Sequence, residues 1–74
     1  MEHEFEHEFR MLGLKIAFYR KAKNLTQEQL AELLSVSTSY IGSIESKTYK
    51  PISLKTLFRI AEALDVPASK FLEN

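Results

Sequence analysis

The feature that most constrains this chain is a break of three residues, Ser35-Val36-Ser37, between two short stretches of helical periodicity. Upstream, Thr26 followed by Gln29 forms a capping-box pattern that opens a helix. Leu30, Leu33 and Leu34 supply its expected buried face, and Ala31 lets another backbone approach closely. Downstream, Ser37 is placed to N-cap a helix running to about Glu45, with Ile41 and Ile44 as its apolar anchors. Helices this short are not stable alone, so each must be held by the other and by the rest of the chain.

The spacing across the break is that of a helix-turn-helix. Counting Gln27 as the first position, the fifth is Ala31, the ninth Ser35, the fifteenth Ile41 and the eighteenth Ile44. The fifth must be small where the helices cross. The fifteenth and eighteenth must be apolar to seat the second helix on the first.

The remaining sequence is helical as well. Phe9, Leu12, Ile16 and Tyr19 form one stripe of a first helix, and Phe5 continues it backwards, so the helix is expected to start before residue 9. Phe9 is read as packed and Phe5 as frayed. Asn24, which tolerates the left-handed conformation, marks its stop. Residues 46–52 read as a loop ended by Pro51, with Ser53 as the next N-cap. Leu54, Leu57, Phe58, Ile60, Ala61 and Leu64 give a fourth amphipathic helix, Asp65-Val66-Pro67 breaks it, and Ala68–Leu72 makes a short fifth. No strand-like alternation occurs. The expected fold class is therefore all-α, a compact five-helix domain with the helix-turn-helix at helices 2 and 3. Residues 10–74 form that domain, and residues 1–9 are an acidic N-terminal extension that can continue helix 1.

At 74 residues there is room for one small domain. A core of this size rarely supplies more than about 3–5 kcal/mol, so either the helices pack very well or the chain dimerises. Phe58, Phe71 and Leu72 exceed what a small core obviously consumes, and both core and dimer seam remain open for them.

Several chemistries are excluded. With no cysteine, disulfides, Cys-ligated zinc and thiol catalysis are absent together. No apolar run approaches the roughly 18 residues of a membrane span, and the acidic start is unlike a signal peptide, so a cytoplasmic location is expected. His3-Glu4-Phe5-Glu6-His7 matches the H-E-x-x-H zinc-protease pattern letter for letter. It arises from a repeated Glu-His-Glu-Phe at the extreme terminus and lacks a third ligand, so it is read as incidental. No metal, cofactor, small-molecule ligand or enzymatic activity is expected.

Here a resemblance becomes specific. Leu12-Gly13…Ile16…Arg20, Leu25-Thr26-Gln27-Glu28-Gln29-Leu30-Ala31, Val36-Ser37…Tyr40-Ile41…Ile44-Glu45 and Leu57…Ile60-Ala61…Ala63-Leu64-Asp65-Val66-Pro67 resemble the lambda-repressor-like (Cro/XRE) helix-turn-helix family over about residues 12–72. The resemblance implies a DNA-binding domain, usually a dimer on a palindromic operator, with its third helix in the major groove. It implies that Gln27 contacts the DNA backbone, and that Thr38, Ser39, Tyr40 and Ser43 are the exposed positions of the recognition helix. It places Lys47, Thr48, Tyr49 and Lys50 in a loop that touches phosphates. Arg20 and Glu45 match a structural pair linking helix 1 to helix 3. Ser35 stands where the family usually carries Gly.

The physics of the residues agrees. Helix N-termini at Thr26-Gln27 and Ser37-Thr38-Ser39 offer N–H groups to phosphate. Between residues 37 and 45 there is no Arg, Lys, Asn or Gln, so direct base readout is expected to be weak. Specificity then draws on Tyr40, DNA shape and dimer spacing. Tyr40 and Tyr49 are read as DNA contacts, and Lys15, Lys21 and Lys23 as a solvated helix face.

Ten basic and ten acidic residues cancel overall, yet they are unevenly spread. Residues 1–9 contribute −4, residues 10–59 hold nine basic against three acidic residues (+6), and residues 60–74 contribute −2. The expected function is a sequence-specific transcriptional regulator binding double-stranded operator DNA as a homodimer, nucleoid-associated in the cytoplasm. Restriction-modification controller, phage or mobile-element repressor and antitoxin are compatible roles. The alternative is a protein-interaction module that keeps the fold without binding DNA, motivated by the small, uncharged recognition helix.

Overall fold

The computed structural model describes residues 4–46 and 50–73, which form five helices. In chain order these are α1 (Glu6–Ala22), α2 (Gln27–Leu34), α3 (Thr38–Glu45), α4 (Leu54–Leu64) and α5 (Ser69–Leu72). His3, Lys47, Thr48 and Tyr49 lie outside the described residues. Among the described residues there is no strand, and no helix is long and apolar enough to cross a membrane.

Side-chain caps set the starts of α2, α3 and α4. The Thr26 hydroxyl accepts the Gln29 N–H at 3.0 Å, and the Gln29 carboxamide accepts the Thr26 N–H at 2.8 Å, completing the capping box. Ser37 caps α3 through the Tyr40 N–H, and Ser53 caps α4 through the Thr56 N–H. The stops of α1, α2 and α4 share one device. Asn24, Ser35 and Asp65 each adopt a left-handed conformation, with φ of 60, 58 and 56°. The following residue, Leu25, Val36 or Val66, sends its N–H back to the carbonyl of Arg20, Ala31 or Ala61. This is the Schellman arrangement, and each of those apolar residues packs against the core. Ser35 therefore takes the left-handed turn that glycine would make without strain.

The core runs through all five helices. Leu12 and Ile16 of α1 meet Leu30, Ala31 and Leu34 of α2, Ile41 and Ile44 of α3, Leu57, Ile60, Ala61 and Leu64 of α4, and Phe71 of α5. Phe71 packs edge-on to Tyr19 at 5.2 Å between ring centroids, which assigns it to the core. Phe9 is half-buried against the same cluster, whereas Phe5 is exposed.

Two apolar expectations, Leu33 and Leu54, are corrected, and two residues left open, Phe58 and Leu72, are placed outside the core. Leu33 is exposed, because Leu30, Ala31 and Leu34 turn toward the core and leave Leu33 on the outer side of α2. Leu54 and Phe58 are also exposed, because α4 buries only the line Leu57, Ile60, Ala61 and Leu64. Leu72 is exposed beyond Phe71.

Candidate nucleic-acid interface

Helix α3 is seated by a close backbone approach and by a buried ion pair. Gly13 of α1 lies so near α3 that a Cβ on it would stand 2.1 Å from the Ile44 carbonyl oxygen. One residue on, Glu45 receives the Arg20 guanidinium in a forked pair, Nε to Oε2 at 2.7 Å and Nη2 to Oε1 at 2.9 Å. The third arm of Arg20 donates to the Leu25 carbonyl at 2.7 Å, so α1, the α1–α2 connection and α3 are tied at one point. The hydrogen bonds that Arg20 donates to Glu45 raise the Arg20 pKa above its ordinary value, against the opposing effect of burial. A raised value means the charged form is favoured by folding, and that stabilisation is lost only at pH above the ordinary guanidinium range. The pair is structural, as the resemblance implied.

Gln27 joins this network. Its Nε2 donates to Glu45 Oε1 at 3.1 Å, and its Oε1 lies over Gly42, 3.6 Å from where a Cβ there would sit. The first residue of α2 is therefore fastened along the flank of α3. Gly42 admits it.

With Ile41 and Ile44 turned inward, the opposite side of α3 presents Ser39, Gly42, Ser43 and Ser46. Thr38 and Ser39 are exposed at the start of the helix, where the first-turn N–H groups point outward. Ser43 is half-buried, and its hydroxyl donates to the Tyr40 carbonyl at 2.8 Å. Tyr40 sits on the α4 side of the helix, half-buried in a cleft lined by Val36, Ser37, Thr56 and Arg59. Lys50 is exposed, its ammonium 5.8 Å from the centre of the Tyr40 ring, so the loop after α3 returns a positive charge to the site. Arg59 of α4 donates to the Leu34 carbonyl, capping the C-terminal end of α2.

The structure thus brings Gln27, Thr38, Ser39, Tyr40, Ser43 and Lys50 around one short helix. Gly42 and Ser46 share its outward side, and sequence reasoning missed both. The signal was present, since Gly42 stands three residues beyond Ser39 and Ser46 three beyond Ser43. Lys21 on α1 and Lys23 just beyond its end are exposed, with Lys23 in a loose 3.9 Å pair with Asp65. Among the described residues no group of three His, Asp or Glu is placed to hold a metal.

Comparison with known proteins points the same way. The family model for the helix-turn-helix matches residues 16–71. The control protein C.SmaI of Serratia marcescens is 40% identical over 62 residues, covering 84% of this chain and 73% of that protein. The immunity repressor of Bacillus phage phi105 is 45% identical over 58 residues, covering 78% of this chain and 40% of the repressor's length. Among solved structures, the restriction-modification controller protein C.AhdI from Aeromonas hydrophila superposes with a TM-score of 0.84 at 30% identity, covering 93% of this chain and 99% of that one. The clp gene regulator ClgR from C. glutamicum gives a TM-score of 0.81 at 28% identity, covering 88% and 83%. Capped helices, turn, buried pair and comparisons converge: this chain belongs to the lambda-repressor-like (Cro/XRE) helix-turn-helix family of DNA-binding transcriptional regulators.

Proposed function

We propose that this protein is a sequence-specific regulator that binds a two-fold operator as a homodimer, with α3 in the major groove. The observation that carries the reading is the outward side of α3, where Ser39, Gly42, Ser43 and Ser46 are all small. A helix so trimmed can lie deep against base edges. Its weak hydrogen-bonding repertoire leaves DNA shape and half-site spacing to supply much of the specificity. Gln27 has two amide protons, and with one held by Glu45 the second is oriented for a phosphate oxygen. The N-termini of α2 and α3, Lys50 and the loop residues Lys47, Thr48 and Tyr49 complete the grip on the backbone.

Two copies meet through the exposed side of α4. Leu54 and Phe58 line a shallow depression with Arg59 and Glu62, which continues past the same two residues to Leu33 and Ala63. Crossing α4 against its copy about a two-fold axis near Phe58 brings Lys55 toward Glu62 of the other copy. The relatives include a phage immunity repressor, a control protein and a restriction-modification controller protein, and a role of that kind in the cytoplasm fits this chain.

Selection from a randomised duplex library, with sizing of the bound species, tests the proposal. Two inverted half-sites about 10 base pairs apart, carrying two copies per duplex, are expected. Recovery of no duplex at all would leave the interaction-module reading in its place.

A further inference from the structure

Helix α1 is apolar on two opposite sides. One side, with Leu12 and Ile16 flanked by Phe9 and Tyr19, faces the core. Half a turn away, Met11, Leu14 and Phe18 face solvent with exposures of 42, 52 and 64%, and His7 continues their line by one turn. The steps from His7 to Met11, Leu14 and Phe18 are four, three and four residues. That is the 3.5-residue repeat of a helix-to-helix seam.

We propose that this line docks a second copy of the chain, α1 against α1 and antiparallel, independently of the α4 contact. The charges flanking the line select that occupant and its alignment. In an antiparallel pair with Met11 opposite Leu14 of the second copy, His7 meets Phe18 and Glu8 falls beside Lys15 of the second copy, twice by symmetry. On the other flank Arg10 meets Ala17. Shifting the alignment by one heptad sets Leu14 opposite Phe18 but brings Lys15 against Lys15. A parallel pair brings Arg10 against Lys15. Only the first alignment matches opposite charges. Glu8 and Lys15 already lie on the same flank, around a cavity shared with Leu72 and Glu73, and exposed Leu72 extends the apolar surface there.

The exposed apolar surface is on the order of a few hundred Å² per copy, the size that marks a contact site on a small protein. Such a contact is weak alone. Together with the α4 contact, and with the two two-fold axes crossing at right angles, it joins dimers into closed tetramers.

Sedimentation equilibrium of the full chain, from micromolar to millimolar concentration, tests this. The wild type reaches a tetramer. Leu14→Glu and Lys15→Glu stop at a dimer, with the α1 association weakened by roughly tenfold or more. The double variant Glu8→Lys, Lys15→Glu regains the tetramer, because the flanking pairs are restored with their signs exchanged. In a Phe58→Glu background a dimer held by α1 persists, and adding Leu14→Glu reduces it to a monomer. An unchanged largest species in Leu14→Glu overturns the proposal, as does a double variant no better than Lys15→Glu. If only the α4 contact is wrong, Phe58→Glu leaves the mass unchanged while the α1 variants still lower it.

Discussion

Replacing Gly13 by alanine sets two opposed effects against each other, and the structure decides between them. On helix propensity alone, alanine in α1 gains about 1 kcal/mol. Against this, the added Cβ would stand 2.1 Å from the Ile44 oxygen and 3.3 Å from its carbonyl carbon, both backbone atoms of α3 that cannot rotate aside. The two helices must retreat from one another by more than about 1 Å to reach ordinary contact. Overpacking of this kind costs about 1–3 kcal/mol. The retreat also pulls on the Arg20–Glu45 fork, whose bonds are 2.7 and 2.9 Å and which sits one residue beyond the clash. Loss of a buried pair costs about 3–5 kcal/mol in full, so partial stretching adds a share of that. After the propensity gain is subtracted, a net loss of about 1–4 kcal/mol is expected. For a domain of this size each kcal/mol moves the Tm by about 4–8 °C. Thermal unfolding followed by far-ultraviolet circular dichroism should show a fall of at least about 5 °C. Gly42→Ala is the control, since its Cβ would meet only Gln27 Oε1 at 3.6 Å, and it should hold or raise the Tm. A Gly13→Ala protein as stable as wild type, or more so, would refute the close approach of α1 to α3.

Other expectations follow from the turns, the recognition helix and the charge distribution. Ser35→Gly removes the left-handed strain at φ 58° and should raise stability by about 0.5–1 kcal/mol, read as a higher denaturant midpoint with an unchanged slope. Ser39→Ala and Tyr40→Ala should each lose affinity for the selected operator more than for random duplex; equal losses on both would remove them from sequence readout. Removing residues 2–8, which carry four Glu, should strengthen non-specific DNA binding at low salt, and no change would show that the extension is electrostatically idle.

The sequence was most legible where local chemistry decides the outcome. Thr26, Ser37 and Ser53 cap their helices because their hydroxyls reach backbone N–H groups within one turn, a relation visible in sequence. The inward positions Ala31, Ile41 and Ile44 follow from the period of the helix for the same reason. Leu33 and Leu54 were misread, and Phe58 was left open, because hydrophobicity marks what would be buried somewhere, not which element does the burying. On α4 the core takes one line and leaves a second apolar line outside. The doubled apolar character of α1 was hidden in the same way, since Met11, Leu14 and Phe18 interleave with core residues. The Gln27–Glu45 bond joins residues 18 apart and depends on the space above Gly42, so only the packed helices disclose it.

The central claim is that a chain of zero net charge grips DNA through a helix-turn-helix set within a locally basic stretch, residues 10–59. The dissociation constant for the selected operator, measured by fluorescence anisotropy across a salt series, tests it most directly. Several phosphate contacts per copy predict that log affinity falls linearly with log salt, with a slope of several units. An affinity that stays flat as salt rises, or no binding at about 50 mM salt, would contradict it.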